Sequence, residues 1–413
     1  MRLTSRLLAV AVLAAAVAVP GTAGAAPARP WVAGWATAPQ HPMPGADWQG
    51  PNWSMEGFAD QSVRQVVRVT AAGSRVRIRL SNQYGTAPLR LAGATVAKAG
   101  DGPAVLPGTV RRLTFGRSAS TVISAGGSLA SDDVHLKVDA LDKLTVTLYF
   151  AVPTGPATFH ETGLTTTWRA AGDHLFDQGG FTDGGSHSWY FLSGVDVSGG
   201  SRGTVVAFGD SITDGVFSTA NTDRRYPDRL AARLAGTHRR LGVVNAGISG
   251  NRVLSDTTCF GESALHRFRR DALDQPGVRT VIVLEGINDI GTAGTDFGCG
   301  PSPVITADDL IAGHRRLIRA AHERGVRVLG ATMTPVKGNQ YGYDTPEKEA
   351  IRDAVNTWIR TSGEYDGVVD LDRALSDPAD PDAMRTEYDG GDGLHPKDAG
   401  MQAIADAVDL ALL

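Results

Sequence analysis

Two periodicities divide the chain. From about residue 31 to 197 apolar and polar positions alternate: Val76, Ile78 and Leu80 are interleaved with Arg75, Arg77 and Arg79, Val134, Leu136 and Val138 repeat the pattern, and Leu144, Val146, Leu148 and Phe150 carry it further. A period of two puts every second side chain on one face of a pleated strand, so these stretches predict half-buried β-strands. Breaks such as Ala72-Gly73-Ser74 and Asn82-Gln83-Tyr84-Gly85 separate them, and no helical stripe interrupts them. An antiparallel sandwich is expected. Past Ser198-Gly199-Gly200-Ser201, small residues that read as a hinge, the texture changes. Short continuous apolar runs at 204–208, 241–244, 278–284, 326–329 and 368–371 suit parallel strands covered on both faces. Between them Leu310, Ile311, Leu317, Ile318 and Ala321 share one helical face, opened by Thr306 with Asp309 three residues on and closed by Gly325. The fold class read from these patterns is an α/β domain with a doubly wound parallel sheet, preceded by an all-β sandwich-like domain.

The first residues read as an address. Arg2 and Arg6 precede an apolar run at 7–19, too short to span a bilayer, and Ala23-Gly24-Ala25 is a small-residue cleavage site. The expected organisation is a signal peptide over 1–25, a β-rich domain over 30–198 that flanks the active site, and a catalytic domain over 203–413. Secretion to an extracellular location follows, with no stable membrane insertion. An oxidising compartment then lets Cys259 and Cys299, the only two cysteines, pair as a disulfide.

Composition narrows the partners. The 413 residues are 42% hydrophobic and 20% charged with a formal net charge of -4, enough apolar material for real cores and no basic field for a phosphate backbone. No nucleic acid partner is expected. None of the ten histidines falls in a familiar metal spacing, so neither a metal nor an organic cofactor is expected.

In doubly wound sheets the chemistry lies in loops beyond the carboxyl ends of the strands. The first run ends in Gly209-Asp210-Ser211-Ile212-Thr213-Asp214-Gly215, which places a hydroxyl where a strand meets a helix N-terminus. Alone, such a tripeptide is as readily a capping turn. After the second run comes Asn245-Ala246-Gly247-Ile248-Ser249-Gly250-Asn251, whose glycines either form turns or let a backbone N–H approach a ligand. After the third, Asn288 of Gly286-Ile287-Asn288-Asp289 can cap or donate. Near the end, Asp392-Gly393-Leu394-His395-Pro396 puts a carboxylate three residues before an imidazole, a spacing that lets it orient Nδ1 and leave Nε2 to take a proton from a serine.

These four blocks, in this order, resemble those of the SGNH/GDSL hydrolases, some secreted bacterial members of which carry a β-rich N-terminal domain. The resemblance covers about residues 204–413. It implies a flavodoxin-like three-layer α/β/α catalytic domain and a serine esterase or lipase working through an acyl-enzyme. It further implies that Ser211 is the nucleophile, His395 the general base and acid, and Asp392 its orienter. Ser211 N–H, Gly250 N–H and the Asn288 side chain would make the oxyanion hole.

The substrate is expected to be a small-molecule, carbohydrate or lipid ester. The stretch 250–276 carries His266, Arg267, Arg269 and Arg270 and reads either as a polar or anionic rim or as a solvated loop. Trp35, Trp48 and Trp53 would stack on sugar rings if exposed, or fill a sandwich core if not. The alternative function is a catalytically silent carbohydrate-binding or adhesive protein on the same fold. Oligomeric state is not encoded in any of these signals.

Overall fold

The computed structural model describes residues 30–45, 50–296, 298–300 and 302–413. The segment 1–25, expected to be a signal peptide, and Trp48 lie outside them. Alternation in the first half folds as two antiparallel sheets packed face to face. One joins Trp31–Ala36, Leu192–Gly199, Gly73–Ser81 and Ser128–Ala130, with Val134–Val138 also on Gly73–Ser81. The other runs Asp183–Ser186, Thr167–Ala171, Gln61–Arg68, Lys143–Phe150, Gly93–Lys98 and Arg111–Arg112. Val76, Ile78 and Leu80 from the first sheet and Leu144, Val146, Leu148 and Phe150 from the second meet in one buried cluster, as the period of two requires. Gly73 and Ser74 are the start of a strand rather than a break, because Gly73 pairs with Val138 and Gly199. Trp35 and Trp53 are core residues, so neither is available to stack on a sugar.

In the second half five parallel strands stand in the order Leu241–Gly247, Gly203–Gly209, Val278–Leu284, Arg327–Ala331, Gly367–Val369. Along the Gly203–Gly209 strand Val206 and Phe208 face one helical layer, with Phe268, Leu310, Leu317 and Ile359, while Val205 and Ala207 face the other, with Leu230, Leu234, Met401 and Ile404. Strands buried on both sides explain the unbroken apolar runs. The helix Ala307–His322 has Thr306 as N-cap and a reciprocal Thr306–Asp309 capping box.

The two halves share a surface. Ala33 and Ala36 of the Trp31–Ala36 strand lie in the same cluster as Val206 and Val244. Ala33 N–H donates to Pro276 O at 2.8 Å, Thr70 Oγ1 donates to Val243 O at 2.7 Å, and Val243 N–H donates back to Thr70 Oγ1 at 2.8 Å. Only Gly200, Ser201 and Arg202 separate the last sandwich strand from the first parallel one. Among the described residues no helix is long and apolar enough to cross a membrane.

Candidate active site

The Gly203–Gly209 strand ends at Gly209, and Asp210 follows it as the cap of the next helix. Its backbone stays extended while its side chain accepts from Ile212 N–H at 2.9 Å, which caps a four-residue helix, Ser211–Asp214. Ser211 is thereby the first helical residue past a buried strand, only 6% exposed.

Residues 389–396 form the facing turn. Asp392 Oδ1 accepts from the N–H groups of Leu394 (2.9 Å) and His395 (2.8 Å), an arrangement available to a carboxylate two and three residues upstream. Gly393 sits in the left-handed region (φ 71°), and a Cβ there would lie 2.7 Å from Asn339 Cα. The other oxygen, Oδ2, accepts from His395 Nδ1 at 2.6 Å and from Tyr341 Oη at 3.1 Å. His395 Nε2 then lies 2.8 Å from Ser211 Oγ. Burial works to raise the Asp392 carboxyl, but the hydrogen bond and charge of His395, with the two backbone N–H groups, outweigh it and hold it at about 2. An ionised Asp392 makes Nδ1 the protonated nitrogen and leaves Nε2 with its lone pair toward the serine. Pro396 precedes the helix Asp398–Ala407 rather than occupying its first turn.

Gly250 comes from the loop after the second strand and Asn288 from the short helix Ile287–Gly291 after the third, and the two segments are tied together. Gly250 has φ 75° and packs its Cα against Phe260, where a Cβ would be 2.1 Å from the ring. Asn288 Nδ2 donates to Asn251 O at 3.0 Å, and its Oδ1 accepts from Tyr343 Oη at 3.1 Å. Asp289 accepts from Val253 N–H and Leu254 N–H at 2.7 and 3.0 Å; burial still raises its carboxyl to about 6.

Arg267, read from sequence as part of a charged rim or solvated loop, is neither. Its guanidinium is fully buried, donating to Asn251 Oδ1, Ala246 O, Gly209 O and Glu285 Oε1. It therefore joins the ends of the first three parallel strands under the site. Burial raises the carboxyls of Asp210 and Glu285, each raised further by nearby negative charge, and Arg267 works against both. Arg270 is paired with Glu262 and Asp271, Arg269 with Asp274 and His266 with Asp256, so the stretch presents few uncompensated cations.

Around the histidine stand two residues the sequence reading passed over. Phe217 and Tyr341 are each 47% exposed, and their rings lie 5.7 and 6.4 Å from the His395 ring. Tyr341 and Tyr343 belong to the loop after the fourth parallel strand, so searching every strand-end loop for side chains would have found them. Cys259 and Cys299 form a disulfide, Cα atoms 5.8 Å apart, across the loops that follow the second and third strands. Among the described residues one carboxylate cluster has ligand spacing, Glu349, Asp353 and Asp382, and the Arg352 guanidinium ion-pairs with all three. A groove of about 730 Å³ lined by Arg202, Arg239, Arg279 and Arg327 opens at the amino ends of the strands, opposite Ser211.

Residues 207–403 match the model of the GDSL-like Lipase/Acylhydrolase family. Among solved structures the chain is similar to an acetylxylan esterase from Geobacillus stearothermophilus (24% identity, 50% of this chain and 92% of that one, TM-score 0.36). It is also similar to a putative acylhydrolase from Bacteroides fragilis (19%, 51% and 86%, 0.39) and to a putative lipolytic protein of the G-D-S-L family from Desulfitobacterium hafniense (18%, 49% and 96%, 0.37). No curated protein matches the chain.

Proposed function

Residues 207–403 belong to the GDSL-like lipase/acylhydrolase family and make the chain a carboxylic ester hydrolase; on that premise we propose that it works through a Ser211-His395-Asp392 triad and an acyl-enzyme intermediate. The observation that carries this reading is the unbroken chain of contacts from Ser211 Oγ to His395 Nε2 (2.8 Å) and from His395 Nδ1 to Asp392 (2.6 Å). Ser211 Oγ attacks the ester carbonyl carbon while its proton passes to His395 Nε2. The tetrahedral oxyanion is held by Ser211 N–H, Gly250 N–H and the second Nδ2 hydrogen of Asn288. Collapse expels the alcohol, which takes the proton from His395. Water, deprotonated by the same nitrogen, then releases the acid and restores Ser211.

Residues 1–25 serve in this proposal as the export signal, with 30–198 the β-rich domain and 203–413 the hydrolase domain. The disulfide supports an extracellular setting. The exposed rings of Phe217 and Tyr341 beside His395 offer apolar faces to the acyl chain of a lipid or the ring of an acylated carbohydrate. Hydrolysis of p-nitrophenyl acetate by the full chain, compared with Ser211→Ala, tests the triad. A variant as active as wild type overturns it, and a wild type without turnover favours the silent binding protein. A series from acetate to palmitate, run beside acetylated xylan, ranks the substrate classes.

A further inference from the structure

His160 follows Phe159 in a two-residue strand of the N-terminal half, paired with Trp189–Tyr190, and its ring lies 5.6 Å from that of Trp189 at 22°. It is 3% exposed, and both ring nitrogens are engaged. Nδ1 lies 3.0 Å from Ala38 O, a carbonyl that only accepts, so Nδ1 carries a hydrogen. Nε2 lies 2.9 Å from Asp214 Oδ1. The other oxygen of Asp214 accepts from Ser249 N–H at 3.0 Å and Ser249 Oγ at 2.8 Å, and Thr162 Oγ1, also from the N-terminal half, lies 3.0 Å from Ser249 Oγ. Asp214 is the last residue of the helix that Ser211 opens, and its N–H donates to Asp210 O at 2.8 Å. Ser249 directly precedes Gly250. One carboxylate thus joins the serine helix, the Gly250 loop and the β-sandwich in a buried contact.

We propose that His160 is a positioning residue for ester hydrolysis: with Thr162 it holds, through Asp214 and Ser249, the Gly250 loop in register with Ser211, so that the β-sandwich completes the geometry of the oxyanion site. The proposal rests on the roles given above to Ser211 and Gly250. A donor displaced by a fraction of an ångström is felt most when the carbonyl oxygen becomes charged, and therefore in kcat more than in KM.

The test uses the full chain carrying His160→Ala, His160→Gln or Thr162→Val. Each is compared with wild type for kcat and KM on p-nitrophenyl acetate, for inhibition by a small alkylboronic acid that forms a tetrahedral adduct on serine, and for Tm. His160→Ala is expected to lose about 10- to 100-fold in kcat with KM within about threefold, and boronate affinity falls in parallel. His160→Gln, whose amide N–H can still donate to Asp214, regains most of both, and Thr162→Val loses a few-fold. Wild-type kcat and boronate affinity in folded His160→Ala overturn the proposal, as does a Gln variant no better than Ala. If neither His160 variant folds, Thr162→Val decides, and unchanged kcat and boronate affinity there refute it. Ser211→Ala separates the two readings: wild-type turnover in that variant removes the triad itself, whereas a silent Ser211→Ala beside a fully active His160→Ala removes only the role of His160.

Discussion

The phenyl ring of Phe217 lies nearly parallel to the imidazole of His395, centroids 5.7 Å apart at 20°, although the Phe217 backbone occupies the left-handed region at φ 67°. A phenylalanine there is strained, so the surroundings hold the ring beside the imidazole at the expense of backbone comfort. It lies beside one face of the imidazole and is half exposed, and in the proposed reaction that exposed side takes the acyl or sugar group. Phe217→Ala is expected to raise KM severalfold, about 1 kcal/mol of lost contact, and to leave kcat within about threefold. Steady-state kinetics on a long-chain and a short-chain ester check this, the larger KM effect falling on the longer chain.

In the proposed triad Asp392 holds the tautomer of His395, so Asp392→Asn should lower kcat by about 10³- to 10⁴-fold with little change in KM. The same carboxyl sets an acid limit. Its value in the fold, about 2, lies below the ordinary one, so the stability it contributes is complete above about pH 4 and is lost as pH falls toward about 2. Acid unfolding followed by circular dichroism should show a shallower limb in Asp392→Asn than in wild type.

Asn288 is held at both ends of its amide, by Asn251 O and Tyr343 Oη. If the remaining N–H donates to the oxyanion, Asn288→Ala lowers kcat by about 10²- to 10³-fold and changes KM far less. Tyr343→Phe frees one end of the amide and is expected to give a smaller loss of the same kind. A lowered Tm with unchanged kcat in Asn288→Ala would make it a structural link only.

The Cys259–Cys299 bridge closes a loop of 40 residues. Chain-entropy arguments put its contribution at about 4 kcal/mol, less any native strain. Cys259→Ser with Cys299→Ser should therefore lower Tm by several degrees, measured by calorimetry, and mass spectrometry of the unreduced wild type should show no free thiol.

Glu161 neighbours His160, and burial together with the charge of Asp214 raises its carboxyl to about 7. The fold thus prefers the protonated form, and the stability this confers is present below about pH 4.5 and lost as pH rises through about 7. Glu161→Gln stays neutral throughout. Its Tm should match wild type near about pH 5 and exceed it by a few degrees at about pH 8.

The architecture was legible because it follows from local periodicity. Alternation in Leu144, Val146, Leu148 and Phe150 gives one buried face, and unbroken runs such as 278–284 give two, so sandwich and doubly wound sheet could be told apart before any contact was known. Among the residues proposed for the site, Ser211, Gly250 and Asn288 could be picked out because each closely follows a parallel strand in a recognisable block, Asp392 and His395 because they share a short block before the last helix, and the Asp392–His395 contact because it spans three residues. Contacts distant in sequence carry no such signature. The bond from His395 to Ser211 joins residues 184 apart, and that from His160 to Asp214 crosses from one half of the chain to the other. Arg267 looked like a charged surface residue because a sequence shows charge and not the carbonyls of Ala246 and Gly209 that satisfy it. The chain's local pattern specified which elements form and which reactive groups stand at their ends. Packing alone decided which of those groups meet, because desolvated hydrogen bonds depend on the placement in space of atoms that sequence order does not bring together.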